Sequence, residues 1–443
     1  MRQPNNLTHQ ALVAPEAGAT VNQWLAYLEA IHPTEIELGL DRVLIVLRRL
    51  FPGKPPVRVI TVAGTNGKGS AVATVEALLQ SSGRRTGAYT SPHLQNYNER
   101  VRINGADIGD AALVSAFEAV QAARGDVSLT YFEFGTLAAF VAFEAAGVDD
   151  WILEVGLGGR LDAVNVMDAD LVILTSVDID HVAFLGNDRE VIGFEKAGVL
   201  RVGIPAICAD TDPPKSVLQQ VAAQKVSLLL ANRDYHIHTD SPKGAGSFGE
   251  YAASVMLEYQ GNQIYLPDGP LPVPSVAAAV MAIRLLQPEL KPSVIEHTLL
   301  QLKVPGRFET LGQKPSIVVD VGHNPHAARW LAGRLASVRK PGQQIHAVYA
   351  ALGDKDVEGV LRAMQPVVDH WWLAGLSVHR GLGVEELTER AEHAGIVVHA
   401  RHTTVAEALD AVRNEAESAD LIIVFGSFYT VAAARQQLVV MAS

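Results

Sequence analysis

Residues 61 to 80 read TVAGTNGKGSAVATVEALLQ, a glycine-rich turn set between an apolar run and a helix-patterned one. A turn that carries a buried strand straight into a helix aims free backbone N–H groups and the positive helix end at one point. That point suits a phosphate, and a lysine beside it neutralises phosphate charge. Gly64, Gly67, Lys68, Gly69 and Ser70 have this setting on both sides. The stretch departs from the common G-x-x-x-x-G-K-[ST] pattern: Val62 stands where the first glycine belongs, and Gly69 separates Lys68 from the hydroxyl of Ser70. Read without a ligand, the same residues make a tight strand-to-helix turn with an exposed lysine.

The chain around the loop reads as an α/β fold. Short β-type runs, VRVITVAG, WILEVGL, DLVILTSVD and IPAICAD, alternate with helix-length amphipathic stretches, the pattern of a mainly parallel sheet. From about residue 227 the text changes to VSLLLANRDYHIH and YAASVMLEYQGNQIYLPDG, where two runs flank Gly261-Asn262 as in a β-hairpin. This predicts an antiparallel side sheet. Helical patterns follow at Val276 to Leu286 and Val294 to Leu302, and then KVPGRFETLGQKPS reads as a linker. Beyond it SIVVDVG, IHAVYAALG, HWWLAGL, GIVVHAR and LIIVFGS restart the alternation. The expected division is residues 1–302, a linker at 303–315, and a smaller Rossmann-like α/β domain at 316–443, without a fixed-period repeat.

A chain of 443 residues exceeds one ordinary core, and its 48% apolar content can fill two. The net charge of −12 argues against a nucleic-acid partner. One cysteine, Cys208, excludes an internal disulfide and any multi-cysteine metal site, which fits the cytosol. The start, MRQPNNLTHQ, lacks the charged and apolar regions of a leader, and no apolar stretch approaches the roughly 18 residues of a membrane helix.

A second cluster, EVGLGGRLDAVN, begins at Glu154 late in an apolar strand, where a solvated structural carboxylate would be odd. Ligands of open α/β sheets bind at such strand ends, and a metal carboxylate is a natural role there. The next strand ends in TSVDIDHVAFLG and brings Asp180 and His181 to the same edge. A lone histidine in that place is as often a satisfied side chain as a ligand, so residue chemistry leaves both readings open.

Nine blocks, GTNGKGS, SPHLQNYNERVRING, TYFEFGTLAA, EVGLGGRLDAVN, DHVAFLGNDREVIGFEKAG, PGRFE, DVGHNPHAA, GDKD and FGSFYTVA, occur in order between residues 61 and 432. Together they resemble the bifunctional dihydrofolate synthase/folylpolyglutamate synthase family of the Mur ligase superfamily. The resemblance implies an ATP-dependent ligase that joins L-glutamate to dihydropteroate and to reduced folates through an acyl phosphate. A free carboxylate acylates amines poorly, so such a reaction needs activation, with Mg²⁺ and lysine neutralising the moving phosphoryl charge.

By the same resemblance Gly64, Asn66, Gly67, Lys68, Gly69 and Ser70 hold ATP, joined by Arg307, Asp320 and His323 from across a cleft between domains. Ser91, Glu154 and His181 contact the magnesium ions, two in the family. Lys196 is the lysine that the family carbamylates beside the second ion; taken alone it reads as an exposed helical lysine paired with Glu195 or Asp188. Lys68, His181 and Lys196 are the implied catalytic groups. Thr130, Tyr131, Phe132, Glu133, Leu161, Asp162 and Ala163 match the pterin segments. Aromatic faces and a carboxylate suit a flat, N–H-bearing heterocycle, although TYFEF also reads as core packing at a helix start. Two departures stand out. Gly322 replaces an alanine, which should matter little, and Ser275 replaces an asparagine, which removes a nucleotide contact.

Four alternatives differ in what they predict. A Mur enzyme acting on a UDP-sugar peptide would carry a UDP-binding domain in front, and only about 56 residues precede the first strand. A P-loop kinase or switch would turn ATP over without glutamate. A decayed nucleotide-binding module would not keep Lys68, Ser91, Glu154, His181 and Lys196 together. A chain-extending enzyme alone would ignore dihydropteroate. The family implies a monomer.

Overall fold

The structure, a computed structural model, describes residues 13–16, 18–34, 36–239 and 254–442. The segment MRQPNNLTHQ and the beginning of the run YAASVM lie outside the described residues. Seventeen strands are described in chain order: β1 (Arg58–Ala63), β2 (Thr86–Tyr89), β3 (Val101–Ile103), β4 (Ala106–Asp107), β5 (Asp150–Glu154), β6 (Leu171–Leu174), β7 (Pro205–Cys208), β8 (Ser227–Leu230), β9 (His236–His238), β10 (Ser254–Tyr259), β11 (Asn262–Pro267), β12 (Glu309–Gln313), β13 (Ser316–Asp320), β14 (Ile345–Tyr349), β15 (His370–Ala374), β16 (Val398–His402) and β17 (Leu421–Phe425).

The first sheet has the order β4-β3-β2-β5-β1-β6-β7-β8, parallel from β2 to β8 with β3 and β4 antiparallel at one edge. All five residues of β5 are buried, as expected for a central parallel strand covered on both faces. Alternation along β1 serves the two faces separately. Val59 and Ala63 pack with Trp24, Phe117 and Phe134 of the helices Val21–Ala30, Asp110–Arg124 and Tyr131–Ala145. Ile60 and Val62 pack with Val75 and Ala279 of Lys68–Ser81 and Val273–Leu286. The helix Val273–Leu286 is buried continuously from Ser275 to Ile283, so an all-apolar sequence suits it better than an amphipathic one.

The side sheet is antiparallel, β11-β10-β9. Its hairpin turns at Gln260-Gly261, one residue earlier than the sequence reading, because Asn262 already pairs with Tyr259. Both turn residues have positive φ, 49° and 75°, as a two-residue hairpin turn matched to strand twist demands. The run SLLL belongs instead to the first sheet, where β8 extends β7 in parallel. The second large sheet, β12-β13-β17-β14-β15-β16, is parallel except for β12. Part of the expected linker is therefore a strand: Glu309–Gln313 pairs with β13 through a bulge near Gly312. Among the described residues no helix is long and apolar enough to cross a membrane.

One buried charge anchors the far end of the first sheet. Asp150 opens β5 with no exposed side-chain surface and accepts from Arg58 Nε at 2.5 Å and from Arg84 Nε at 2.6 Å. Asp150→Ala removes the buried carboxylate and leaves the partly exposed guanidinium groups of Arg58 and Arg84 unpaired, and should cost about 1–3 kcal/mol, read as a lower denaturant midpoint for unfolding of the first sheet.

Candidate active site

The glycine loop is fastened to the segment that follows β6. Thr65 N donates to Ser176 O at 2.8 Å, Asn66 N to Ser176 Oγ at 3.0 Å, and Thr65 Oγ1 to Asp178 O at 2.9 Å. Two glycines make this approach possible. Gly64 has φ 148° and Gly67, which heads the helix Lys68–Ser81, has φ 83°. A Cβ on Gly64 would strike the Thr175 hydroxyl, and one on Gly67 the hydroxyl of Ser275. Ser275, expected only to lose a nucleotide contact, thus packs against the loop itself. Lys68 Nζ folds back on the carbonyls of Gly64 and Thr65 at 2.9 and 3.1 Å. Burial lowers its pKa, and the carboxylates of Glu154 and Asp180 oppose that shift. The Ser70 hydroxyl is buried without a hydrogen-bond partner. Free helix N–H groups, a half-buried ammonium and an unpartnered hydroxyl fit a polyphosphate.

Glu154 ends β5 and is buried, with Oε2 accepting from Ser91 N at 3.3 Å. A Cβ placed on Gly69 would lie 3.4 Å from Arg307 Nη2 and 3.8 Å from Glu154 Oε2. A guanidinium from the segment leading into the second sheet and a carboxylate from the first therefore meet over the loop. Burial raises the Glu154 pKa, opposed by Lys68 and Arg307. A small cavity beside them is lined by Gly64, Lys68, Gly156, Asp180, His181 and Lys196. His181 is exposed at its edge, with φ 51°. Among the described residues no three His, Cys, Asp or Glu side chains are grouped as a metal site. The oxygen donors Ser91 and Glu154 suit Mg²⁺, whose remaining ligands would then be phosphate and water oxygens.

Lys196 lies on the helix Arg189–Ala197 and is buried in that cavity, not exposed. Neither acidic neighbour pairs with it: Glu195 binds Arg160 at 2.8 Å, and Asp188 caps the helix by accepting from Glu190 N. Burial, reinforced by repulsion from Lys68, lowers its pKa to about 7. A substantial share of the amine is therefore neutral at physiological pH.

Three elements of the second sheet complete the site. Asp320 ends β13, buried, and accepts from Phe308 N at 2.9 Å and Gly322 N at 2.7 Å. Gly322 matters more than the sequence suggested, since a Cβ there would lie 2.9 Å from Asp320 Oδ1, which those bonds hold in place. His323 Nδ1 faces Val321 O at 3.0 Å and its Nε2 lies 3.5 Å from Asp180. Asn66 does more than border the loop. It exchanges side-chain amide hydrogen bonds of 3.0 and 2.9 Å with Asn324, the N-cap of the helix Pro325–Val338.

The residues matched to pterin segments divide by role. Thr130 and Glu133 form a reciprocal cap on the helix Tyr131–Ala145, and Glu133 also binds Arg42 at 2.8 Å, so both side chains are already partnered. Ala163 belongs to the core. Phe132 covers Gly156, whose Cβ position is 2.7 Å from the ring, and its centroid lies 5.9 Å from that of Tyr89. Tyr131 stacks edge-on with Tyr97 under the Arg100 guanidinium. Asp162 accepts from Leu157 N and Val164 N, and burial, outweighing those bonds, brings its pKa to about 6. Leu161 beside it is half-buried. Sequence reasoning assigned no role to Arg100, Asn324 or Lys355, although all three lie in blocks that it singled out.

Residues 306–428 match the family model described as Mur ligase, glutamate ligase domain. The dihydrofolate synthase/folylpolyglutamate synthase of Escherichia coli K12 is 40% identical over 418 residues, covering 94% of this chain and 95% of that one. The chain belongs to this family. The Haemophilus influenzae enzyme of the same name is 37% identical, with 94% of this chain and 97% of that one covered. The structure of Escherichia coli FolC with DHPP and ADP superposes with a TM-score of 0.89 at 38% identity, covering 97% of this chain and all of that one. The Yersinia pestis bifunctional enzyme with AMPPNP and Mn ion gives 0.87 at 40% identity, with 96% and 99% covered. The α/β architecture, with its antiparallel side sheet and second Rossmann-like sheet, is that of the family.

Lys196 makes a testable electrostatic claim. Its folded pKa lies below the ordinary 10.5, so the buried ammonium lowers stability. The loss sets in as pH falls from 10.5 towards 7 and is complete below 7. At about 1.4 kcal/mol per unit, Lys196→Met should stabilise the fold by on the order of 4 kcal/mol at pH 7 in bicarbonate-free buffer, measured from denaturant midpoints. At pH 10.5 the gain should shrink towards zero.

Proposed function

We propose that the chain ligates L-glutamate to dihydropteroate, giving dihydrofolate, and to reduced folates, giving folylpolyglutamates, with ATP converted to ADP and phosphate. The supporting observation is the convergence of Lys68, Glu154 and Arg307 on the glycine loop from both large sheets. In the first step a carboxylate oxygen of the pterin substrate bonds to the γ-phosphorus and ADP leaves. In the second the glutamate amine attacks the acyl carbon, phosphate leaves, and the amine gives up its proton. Loop N–H groups and Ser70 hold the phosphates, while Lys68 and Arg307 offset the charge that collects on the transferring group. Asp320 and His323 belong to the nucleotide side of the cleft.

A divalent ion held by Ser91 and Glu154, with a second near His181, would neutralise phosphate charge and hold the reacting oxygens in line. The neutral share of Lys196 can add to carbon dioxide, its nitrogen bonding to the carbon while a C=O π pair moves to oxygen and an N–H proton passes to water, and the resulting carbamate would place an anion beside that second ion. Phe132 and Leu161 offer an apolar wall to the pterin, and Asp162 an acceptor edge. All of these groups come from one chain, so a monomer suffices. Small soluble substrates, one buried cysteine and the absence of a spanning helix among the described residues fit the cytoplasm. We take residues 303–315 as the linker between the two halves, a range that contains the whole of β12 and ends just before β13.

The test is ADP release with product mass, using Mg-ATP, L-glutamate and either dihydropteroate or a reduced folate. Glutamate-dependent amide product with both substrates supports the reading; product with the folate alone removes the synthase half, and glutamate-independent ADP release removes the ligase. Lys68→Ala should reduce turnover with both substrates on the order of 1000-fold. Asp162→Ala should impair the dihydropteroate reaction more than the folate one, compared through kcat/KM for each substrate.

A further inference from the structure

The GDKD block has no part in the chemistry described so far, yet its lysine makes the most enclosed charge contact between the two large sheets. Lys355 follows β14, and its Nζ lies 2.7 Å from Asp180 Oδ1, with only 9% and 8% of the two side chains exposed. The same carboxylate accepts from Asn324 Nδ2 at 3.0 Å through Oδ2 and faces His323 Nε2 at 3.5 Å. Two loops of the second sheet thus close on one carboxylate of the first. Other ion pairs joining the halves are more open: Arg329 to Asp178 is 59% and 26% exposed, and Arg334 to Asp268 is 15% and 38% exposed. Exposed pairs of that kind contribute little.

Asp180 also sits where position counts. It lines the cavity with Lys68 and Lys196, and its Oδ1 accepts from His181 N at 2.8 Å, fixing a turn whose histidine has φ 51°. Through Asn324 and its paired amide with Asn66, the contacts continue to the glycine loop. We infer that Lys355 is a positioning residue: by gripping Asp180 it closes the second sheet over the glycine loop and sets His181 and Arg307 for reaction. The inference rests on the ligase reading for its kinetic consequence and on geometry alone for the closure.

Lys355→Met tests it through two readouts. Turnover should fall on the order of 100-fold, the cost of a small misplacement of reacting groups, while KM for dihydropteroate stays within about twofold. Small-angle scattering with Mg²⁺ and a non-hydrolysable ATP analogue should show a larger radius of gyration for the variant than for the unaltered protein. Lys355→Arg, which keeps the charge and can reach Asp180, should recover the compact profile and most of the turnover. Unchanged kcat in Lys355→Met overturns the inference, as does lost kcat with an unchanged scattering profile, or a Lys355→Arg protein as open as Lys355→Met. If the unaltered protein ligates neither substrate, the ligase reading fails while the scattering comparison still decides the latch.

Discussion

Burying several charges in one place is costly, and this structure meets the cost by drawing opposite charges from different parts of the fold to the carboxyl ends of two parallel sheets. Lys68, Glu154, Asp180 and Lys196 come from the first sheet and its helices, and Arg307, His323 and Lys355 from the second half. Asp180 records the balance most clearly. Burial opposes its ionisation, but His323, Lys355 and His181 together hold its carboxyl far below the ordinary range. The charges that hold Asp180 ionised come from both halves of the fold. The cleft is therefore both an electrostatic requirement and the place where chemistry can occur.

The glycine loop supplies the steric counterpart of that requirement. Charges can converge on a phosphate only if the backbone comes close, and Gly64 and Gly67 occupy positions where any side chain would collide with Thr175 or Ser275. Their positive φ values lead directly into the helix Lys68–Ser81. The small side chain of Ser275 belongs to the same packing: it fills the space under Gly67 at the start of a helix buried along most of its length. Local backbone freedom and distant packing thus specify one surface.

Features with a local signature were legible in the sequence. The strand–loop–helix text located the glycine turn between β1 and the helix Lys68–Ser81, and alternation of apolar runs named the α/β class, because burial on both faces of a parallel sheet leaves a continuous apolar record. What escaped was short or had a mixed pattern. Thr86–Tyr89 spans four residues and contains a glycine; Glu309–Gln313 lies among Gly, Lys and Pro residues that read as linker; and Ser227–Leu230, read as part of the side sheet, is instead an edge strand of the first, with exposed and half-buried positions. In the site, the charge of Lys196 was visible but its burial was not, since a helix with Glu195 and Asp188 nearby looks solvated until Arg160 and the helix cap take those partners. The Lys355–Asp180 contact joins residues 175 positions apart, a separation for which periodicity and composition carry no signal. Thr130 and Glu133 show the converse: the motif was seen, but its polar groups mainly start a helix.

The half-buried Lys68 and the buried Lys196 finally constrain what the cavity accepts. Burial lowers the affinity of both for a proton, Lys68 lowers that of Lys196 further, and Asp180 is already engaged by Lys355 from across the cleft. Further negative charge entering between them would relieve repulsion that the protein alone leaves uncompensated. A phosphate over Lys68 and a carbamate formed on Lys196 would both do so, but they differ in consequence: the phosphate arrives and leaves with each turnover, whereas a carbamate would convert a permanent liability into a lasting anionic ligand. A cavity holding one lysine of each kind is suited to receiving a polyphosphate with its divalent ions, and poorly suited to a neutral ligand of the same size.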